Sequence, residues 1–327
     1  MKPALTAARV AALSRELLDH ADPDGVDELL SLVRFLYRIG RRDLPLGRLL
    51  EGHVDAVQIV MRYGNSEQAR MVIDATHAGE TFGVWNADHW QEPLVLVDGR
   101  LTGSKAFASG AGLLSKALVT VDRDAGRQLI LVDLSRAPPD IDRSWWRVTG
   151  MQRSETHIAR WTGQAVDPSS LIGQPGDYVR EPWFTGGALR FVAVQAGGIA
   201  AVCDQVRDHL VAQDRAGDPR QKDRVAEIYL AAQSAALAVR DAAMRWDRHD
   251  VPGTLVHVAA ARAAAYAAAE RAIVLAQAAV GVSAMFVDHP LAETLNDLSV
   301  YLRQPGPDAQ RTRIADAVVA SSISPSL

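Results

Sequence analysis

The sequence predicts a mainly α-helical protein with a central β domain, and three observations carry that prediction. Apolar residues recur at helical spacing from residue 5 to about residue 76. They switch to short runs bounded by Gly, Pro and Asp between about residues 79 and 176, and they return to long helical patterns after Pro182. The expected order is an N-terminal helical domain over residues 1–78, an antiparallel sheet or barrel over 79–178, and an antiparallel four-helix bundle over 179–327.

Taken in chain order, Leu5, Val10, Leu13, Leu17 and Leu18 set a first amphipathic helix, and Val26, Leu29, Leu30, Val33, Leu36 and Tyr37 set a second. Turn chemistry at Asp22-Pro23-Asp24-Gly25 separates them. A third helix is expected from about Leu46 to Arg62, before the break at Tyr63-Gly64-Asn65-Ser66. Ser66 is the expected N-cap of a fourth, ending near Thr76. The β region reads as strands at Phe82–Trp85, Pro93–Val97, Ala117–Val121 and Leu129–Leu134, and Asp98-Gly99 between two apolar runs is its strongest hairpin signal. Beyond it, Phe184 to Asp214, Pro219 to Arg248 and Pro252 to Val280 are each long enough for a helix of roughly 40 Å. Ala-rich stretches such as Ala259–Ala269 favour helix there, and shorter helices are expected from Pro290 to Leu302 and after Pro307.

Charge and cysteine content narrow the partners. Thirty-five basic and 39 acidic residues give a net charge of −4, and only four of the basic residues are Lys. The Arg residues are dispersed among Asp and Glu, which reads as a coding bias and not as a nucleic-acid surface. Cys203 is the only cysteine, so no intrachain disulfide is available, and no Cys/His zinc constellation occurs. The N-terminal residues carry a charge every few positions, and the Ala-rich run is broken by Arg262, Glu270 and Arg271. No signal peptide or membrane anchor is read, and a cytoplasmic protein acting on a small molecule is expected.

Helices, a small β domain and helices again is an uncommon order, and residues at its junctions resemble one family. Gly64 to Gln68 is similar to a Gly-x-x-x-Gln segment, and Leu101 to Ser109 to a Leu-x-Gly-x-Lys-x-(Trp/Phe)-x-(Thr/Ser) strand. Gly150 to Thr156 is similar to Gly-(Met/Leu)-(Arg/Gln)-x-Ser-x-(Thr/Ser), and Gln277 to Gly281 to a Gln-x-x-x-Gly turn. Each is individually unspecific, but the ordered set resembles the acyl-CoA dehydrogenase superfamily of flavoproteins.

The resemblance implies an oxidoreductase that holds FAD. Phe107 and Ser109, on one face of a strand, would lie against the flavin ring. Phe82, Val84 and Trp85 occupy the stretch that would read its pyrimidine edge. Arg215 would meet the pyrophosphate of a flavin bound mainly by a neighbouring subunit, and Gln277 with Gly281 would pack its adenosine end. A homodimer or homotetramer is therefore implied. The family's catalytic Glu, by contrast, aligns with Pro305, which can do no acid–base work, and the other usual position, at the start of the first long C-terminal helix, reads Phe184-Thr185-Gly186-Gly187-Ala188-Leu189. The substrate expected is an acyl thioester or related small molecule handled atypically. A flavin-dependent monooxygenase and a non-catalytic structural relative are the alternatives.

Overall fold

The computed structural model describes residues 2–23, 25–304 and 306–325. The N-terminal part consists of α1 (Ala7–Glu16), α2 (Val26–Arg42), α3 (Leu44–Tyr63) and α4 (Ser66–His77). Asp43 separates α2 from α3 in an extended conformation, and its carboxylate accepts the Leu46 amide, so that one residue stops a helix and caps the next. The cap of α4 is Asn65, one residue earlier than Ser66. Asn65 accepts from the Gln68 amide while the Gln68 side chain accepts from the Asn65 amide, both at 2.9 Å, which is a reciprocal capping box. The same Gln68 amide group donates to the carbonyls of Ser169 and Leu171. The Gly-x-x-x-Gln spacing thus has a physical meaning here: it caps α4 and docks it on the β domain.

That domain comprises β1 (Phe82–Trp85), β2 (Val95–Val97), β3 (Arg100–Ala108), β4 (Lys116–Arg123), β5 (Gly126–Asp133), β6 (Asp140–Asp142), β7 (His157–Ala165) and β8 (Leu171–Ile172). The strands form two four-stranded sheets, β1-β4-β5-β8 and β2-β3-β7-β6, where the sequence suggested one. Pairing is antiparallel except between β1 and β4, which run parallel. The two sheets follow from β4 and β5 being apolar on both faces. Val119, Val121, Ile130 and Val132 pack with Trp85, Leu101 and Trp161 between the sheets, while Leu118, Leu129 and Leu131 meet Ala56, Val57 and Val60 of α3. The Asp98-Gly99 hairpin forms as expected, both residues taking positive φ (48° and 70°) with Val97 opposite Arg100.

The C-terminal part holds α5 (Trp183–Gly186), α6 (Ala188–Ala212), α7 (Pro219–Met244), α8 (Val251–Val280), α9 (Pro290–Tyr301) and α10 (Pro307–Val319). Gly186-Gly187 divides the helix expected from Phe184 into α5 and α6. The segments Trp183–Ala212 and Val251–Met285 are long and apolar enough to cross a membrane by composition alone. Here α6 is a core helix, with Val192, Val194, Ile199, Val202 and Val206 fully enclosed in the cluster it shares with α2, α7 and α8. Pro305 lies outside the described residues.

Candidate functional site

The three parts meet around a cleft of about 730 Å³, within the range typical of small-molecule sites. One wall is α3, the opposite wall is the β domain, and α5, the start of α6 and the end of α9 close the third side.

The β wall is built by strand geometry. Val84, Asn86 and Ala87 line it from β1 and just beyond, and Phe107 and Ser109 from the end of β3. A register shift between Lys105 and Ala108 and a positive φ of 54° turn Phe107 out of the sheet, leaving it 55% exposed. Its ring meets Trp145 edge-on at 4.8 Å, and Trp145 stacks on Trp146, which lines the cleft and is held by its indole N–H on the Met151 carbonyl. Behind Ser109 stand two more hydroxyls. Thr156 donates to Ser109 Oγ at 3.0 Å and lies 2.7 Å from Ser154, so the Ser109 proton is left for a ligand in the cleft.

Of the five predicted residues in the β domain, two do not line the cleft. Phe82 is fully buried between α3 and the first sheet, ring to ring with His53. Trp85 is buried between the two sheets and donates its indole N–H to the Ser109 carbonyl at 2.9 Å. Strand alternation is the reason: Trp85 faces the sheet interior, and Phe82 shares the face of Val84 but sits deeper. Both still shape the site. His53, kept neutral because burial lowers its pKa to about 4, accepts the Phe82 amide at Nδ1 and so fixes β1 on α3.

Arg215, Gln277 and Gly281 lie at the far end of the bundle. Arg215 follows α6, whose 25 residues carry it about 36 Å from its start at the cleft. Gln277 and Gly281 end α8, the Gly281 amide closing on the Gln277 carbonyl. Exposed Val274, Val282, Met285, Phe286 and Val287 occupy the same end of α8 and the turn after it.

Sequence reasoning missed the α3 wall. Arg48, Glu51, Asp55 and Arg62 recur at spacings of three, four and seven residues, one stripe of a helix that is otherwise largely buried. Arg48 and Glu51 form a close ion pair, and Tyr301 of α9 donates to the same Glu51 oxygen at 3.3 Å. Arg190 of α6 pairs closely with Asp55 and donates to Gln58 at 2.9 Å. Arg62 stacks over Trp183 at 3.8 Å. Burial raises the proton affinity of Glu51 against the opposing pull of Arg48, and it pushes the Tyr178 and Tyr301 hydroxyls well up. Among the described residues no hydrogen-bond partner meets the buried Arg190 Nε.

Asp297 holds the β domain against α9. It accepts the Met151 amide at 2.5 Å, and desolvation raises its pKa from 3.8 to about 6. Between roughly pH 4 and 6 the folded chain therefore keeps a proton that the unfolded chain has released, and stability falls as pH rises through that window. Asp297→Asn keeps the acceptor and removes the charge. Urea unfolding is expected to show the wild type losing about 2–3 kcal/mol from pH 4 to 7 relative to the variant; parallel pH profiles would refute this.

No protein-family model matches the chain, and no curated protein sequence matches it. Solved structures do. A dibenzothiophene monooxygenase, TdsC of Paenibacillus sp. A11-2, is 17% identical with a TM-score of 0.77 over 96% of each chain. Butyryl-CoA dehydrogenase of Megasphaera elsdenii is 15% identical with a TM-score of 0.79, over 95% of this chain and 89% of its own. An FAD complex of PigA is 15% identical with a TM-score of 0.80, over 97% and 91%. Helical domain, two-sheet β domain and helical bundle, aligned end to end with these structures, give this chain the acyl-CoA dehydrogenase fold.

Proposed function

We propose that the protein is a flavin-dependent oxidoreductase that holds FAD in the cleft and acts on a small polar molecule. The observation that carries this reading is the pairing of unlike walls: Val84, Phe107 and Ser109 on one side, and the charged stripe of α3 on the other. A planar isoalloxazine ring suits the first wall, which offers apolar surface and a hydroxyl proton from Ser109. A bound flavin would supply hydride acceptance or oxygen activation. The chain's own residues would do the rest: Ser109 fixes the ring edge, Trp146 and Trp183 exclude water, and Arg48 and Arg190 orient an oxygen of the substrate.

Structures of this fold carry FAD in PigA and FMN in TdsC, and their named ligands are small molecules, including indole. The polar α3 wall argues against a fatty acyl chain, which would leave five charged and hydroxyl-bearing groups desolvated beside hydrocarbon. A flavin-dependent monooxygenase acting on a polar substrate is the second reading. A homo-oligomer, with Arg215, Gln277 and Gly281 at its interface, is supported by the exposed apolar residues around them.

Purified protein is expected to show a flavin's visible absorption, and added FAD is expected to raise the melting temperature of flavin-free protein. Ser109→Ala should weaken flavin binding about five- to tenfold, the worth of one hydrogen bond, with little effect on the flavin-free protein. Colourless protein that takes up neither FAD nor FMN would overturn the proposal. Anaerobic mixing with short acyl-CoA thioesters, against oxygen consumption by the reduced protein, separates dehydrogenase from monooxygenase.

A further inference from the structure

Neither position at which the resemblance implies a base carries an acid, yet two carboxylates line the cleft, Glu51 and Asp55, and the second is engaged by its close pair with Arg190. Glu51 projects from the middle of α3 and is 5% exposed. Its two oxygens are not equivalent. Oε1 takes both the Arg48 ion pair and the Tyr301 hydroxyl, whereas no donor among the described residues bonds Oε2. Because Glu51 lines the cleft, that free oxygen is the one available to a ligand.

We propose that Glu51 is the proton-accepting catalytic residue of the cleft. The inference rests on the reading of the cleft as a substrate site, and not on which flavin occupies it. The substrate class is a small molecule with a hydrogen made acidic by a neighbouring carbonyl or similar group. In the step, the substrate's C–H, N–H or O–H bond breaks, the proton passes to Glu51 Oε2, and the electron pair stays on the substrate. The resulting negative charge settles on the substrate oxygen, beside Arg48 and Arg190. The groups that face Glu51 suit this role. Arg48 on α3 and Arg190 on α6 favour the ionised form against the larger effect of burial, Asp55 on α3 opposes them, and Tyr301 on α9 fixes the carboxylate's orientation through Oε1. Burial meanwhile makes it a stronger base than a surface Glu.

A small anion makes a direct test, because it can sit beside Glu51 only if Glu51 takes up a proton. Benzoate is the probe, with binding measured calorimetrically in two buffers of different ionisation enthalpy, at about pH 7. The wild type is expected to take up close to one proton per benzoate and to lose affinity about tenfold per pH unit on the alkaline side. Glu51→Gln should bind benzoate with no proton uptake and no such pH dependence. Should Glu51→Gln leave Arg48 unpaired and fail to fold, Arg48→Met/Glu51→Gln removes both charges, and proton uptake remains the readout. Equal proton uptake in wild type and variant, or no benzoate binding by either protein, overturns the proposal. Flavin uptake is measured separately, so a colourless protein that still shows Glu51-dependent proton uptake would sink the oxidoreductase reading and leave this one standing.

Discussion

Asp43→Ala is expected to destabilise the protein by about 4 kcal/mol, the loss of a buried ion pair together with a helix cap. Asp43 is 1% exposed and stands where all three parts of the chain converge. Arg153 of the β domain makes a two-pronged bond to it, Nη1 to Oδ1 at 3.0 Å and Nη2 to Oδ2 at 2.7 Å. The same guanidinium reaches the Pro3 carbonyl and lies 3.5 Å from Glu293 of α9. Removing the carboxylate leaves a guanidinium only 14% exposed with one distant acid, and it frees the Leu46 amide at the start of α3. Asp43→Asn should cost less, because it can still cap α3 and accept from Arg153. The consequences reach the cleft: α3 carries Glu51 and Asp55, Arg153 lies next to Ser154, and Ser154 backs Thr156 and Ser109. Chemical denaturation should therefore rank wild type above Asp43→Asn above Asp43→Ala, with flavin affinity falling in the same order. Equal midpoints for wild type and Asp43→Ala would show that Glu293 replaces the lost partner.

The sequence made the local structure legible and hid the pairings that build the site. Helix positions and the Asp98-Gly99 hairpin follow from short-range patterns, whereas Val84, Phe107 and Ser109 were pointed to by the family resemblance alone. Continuous apolar runs at Ala117–Val121 and Leu129–Val132 show that both faces are covered, but they cannot say that one cover is α3 and the other a second sheet. Trp85 shows the same limit: strand alternation fixes that it opposes Val84, not which side is the cleft. The α3 stripe was hidden more deeply. Arg48, Glu51, Asp55 and Arg62 at helical spacing resemble a solvated face, and only burial of the rest of the helix reveals that the stripe faces a cavity. A useful signal was nevertheless present, because a helix bearing Leu49, Leu50, Val54, Val57 and Val60 around a narrow charged stripe has little polar surface to turn toward water.

Gly197→Ala is expected to cost about 3 kcal/mol, even though alanine is the better helix former by about 1 kcal/mol. A Cβ at Gly197 would lie 2.1 Å from the Tyr37 carbonyl oxygen and 2.7 Å from the Arg41 amide, both backbone atoms of α2. The contact is reciprocal, since a Cβ at Gly40 of α2 would lie 2.1 Å from the Val194 carbonyl oxygen of α6. Neither clash can be relieved by a rotamer change, so the two helices must separate. Separation opens the cluster formed by Leu36, Ile39, Val194 and Ala196, which is closed on the other side by α7 and α8. Gly198 provides the internal comparison. A Cβ there would meet only the end of the Leu44 side chain, at 2.7 Å, which can turn aside, so Gly198→Ala should be far milder. The difference between neighbouring glycines distinguishes backbone contact from helix propensity, which would affect both alike. It also links packing to the site, because α6 begins at the cleft with Arg190 and Phe191, seven and six residues before Gly197. A shift of α6 away from α2 should loosen the Arg190–Asp55 pair and reduce flavin and benzoate affinity together, whereas Gly198→Ala should leave both nearly unchanged. Equal melting temperatures for the two variants would show that α2 and α6 are not held at backbone contact.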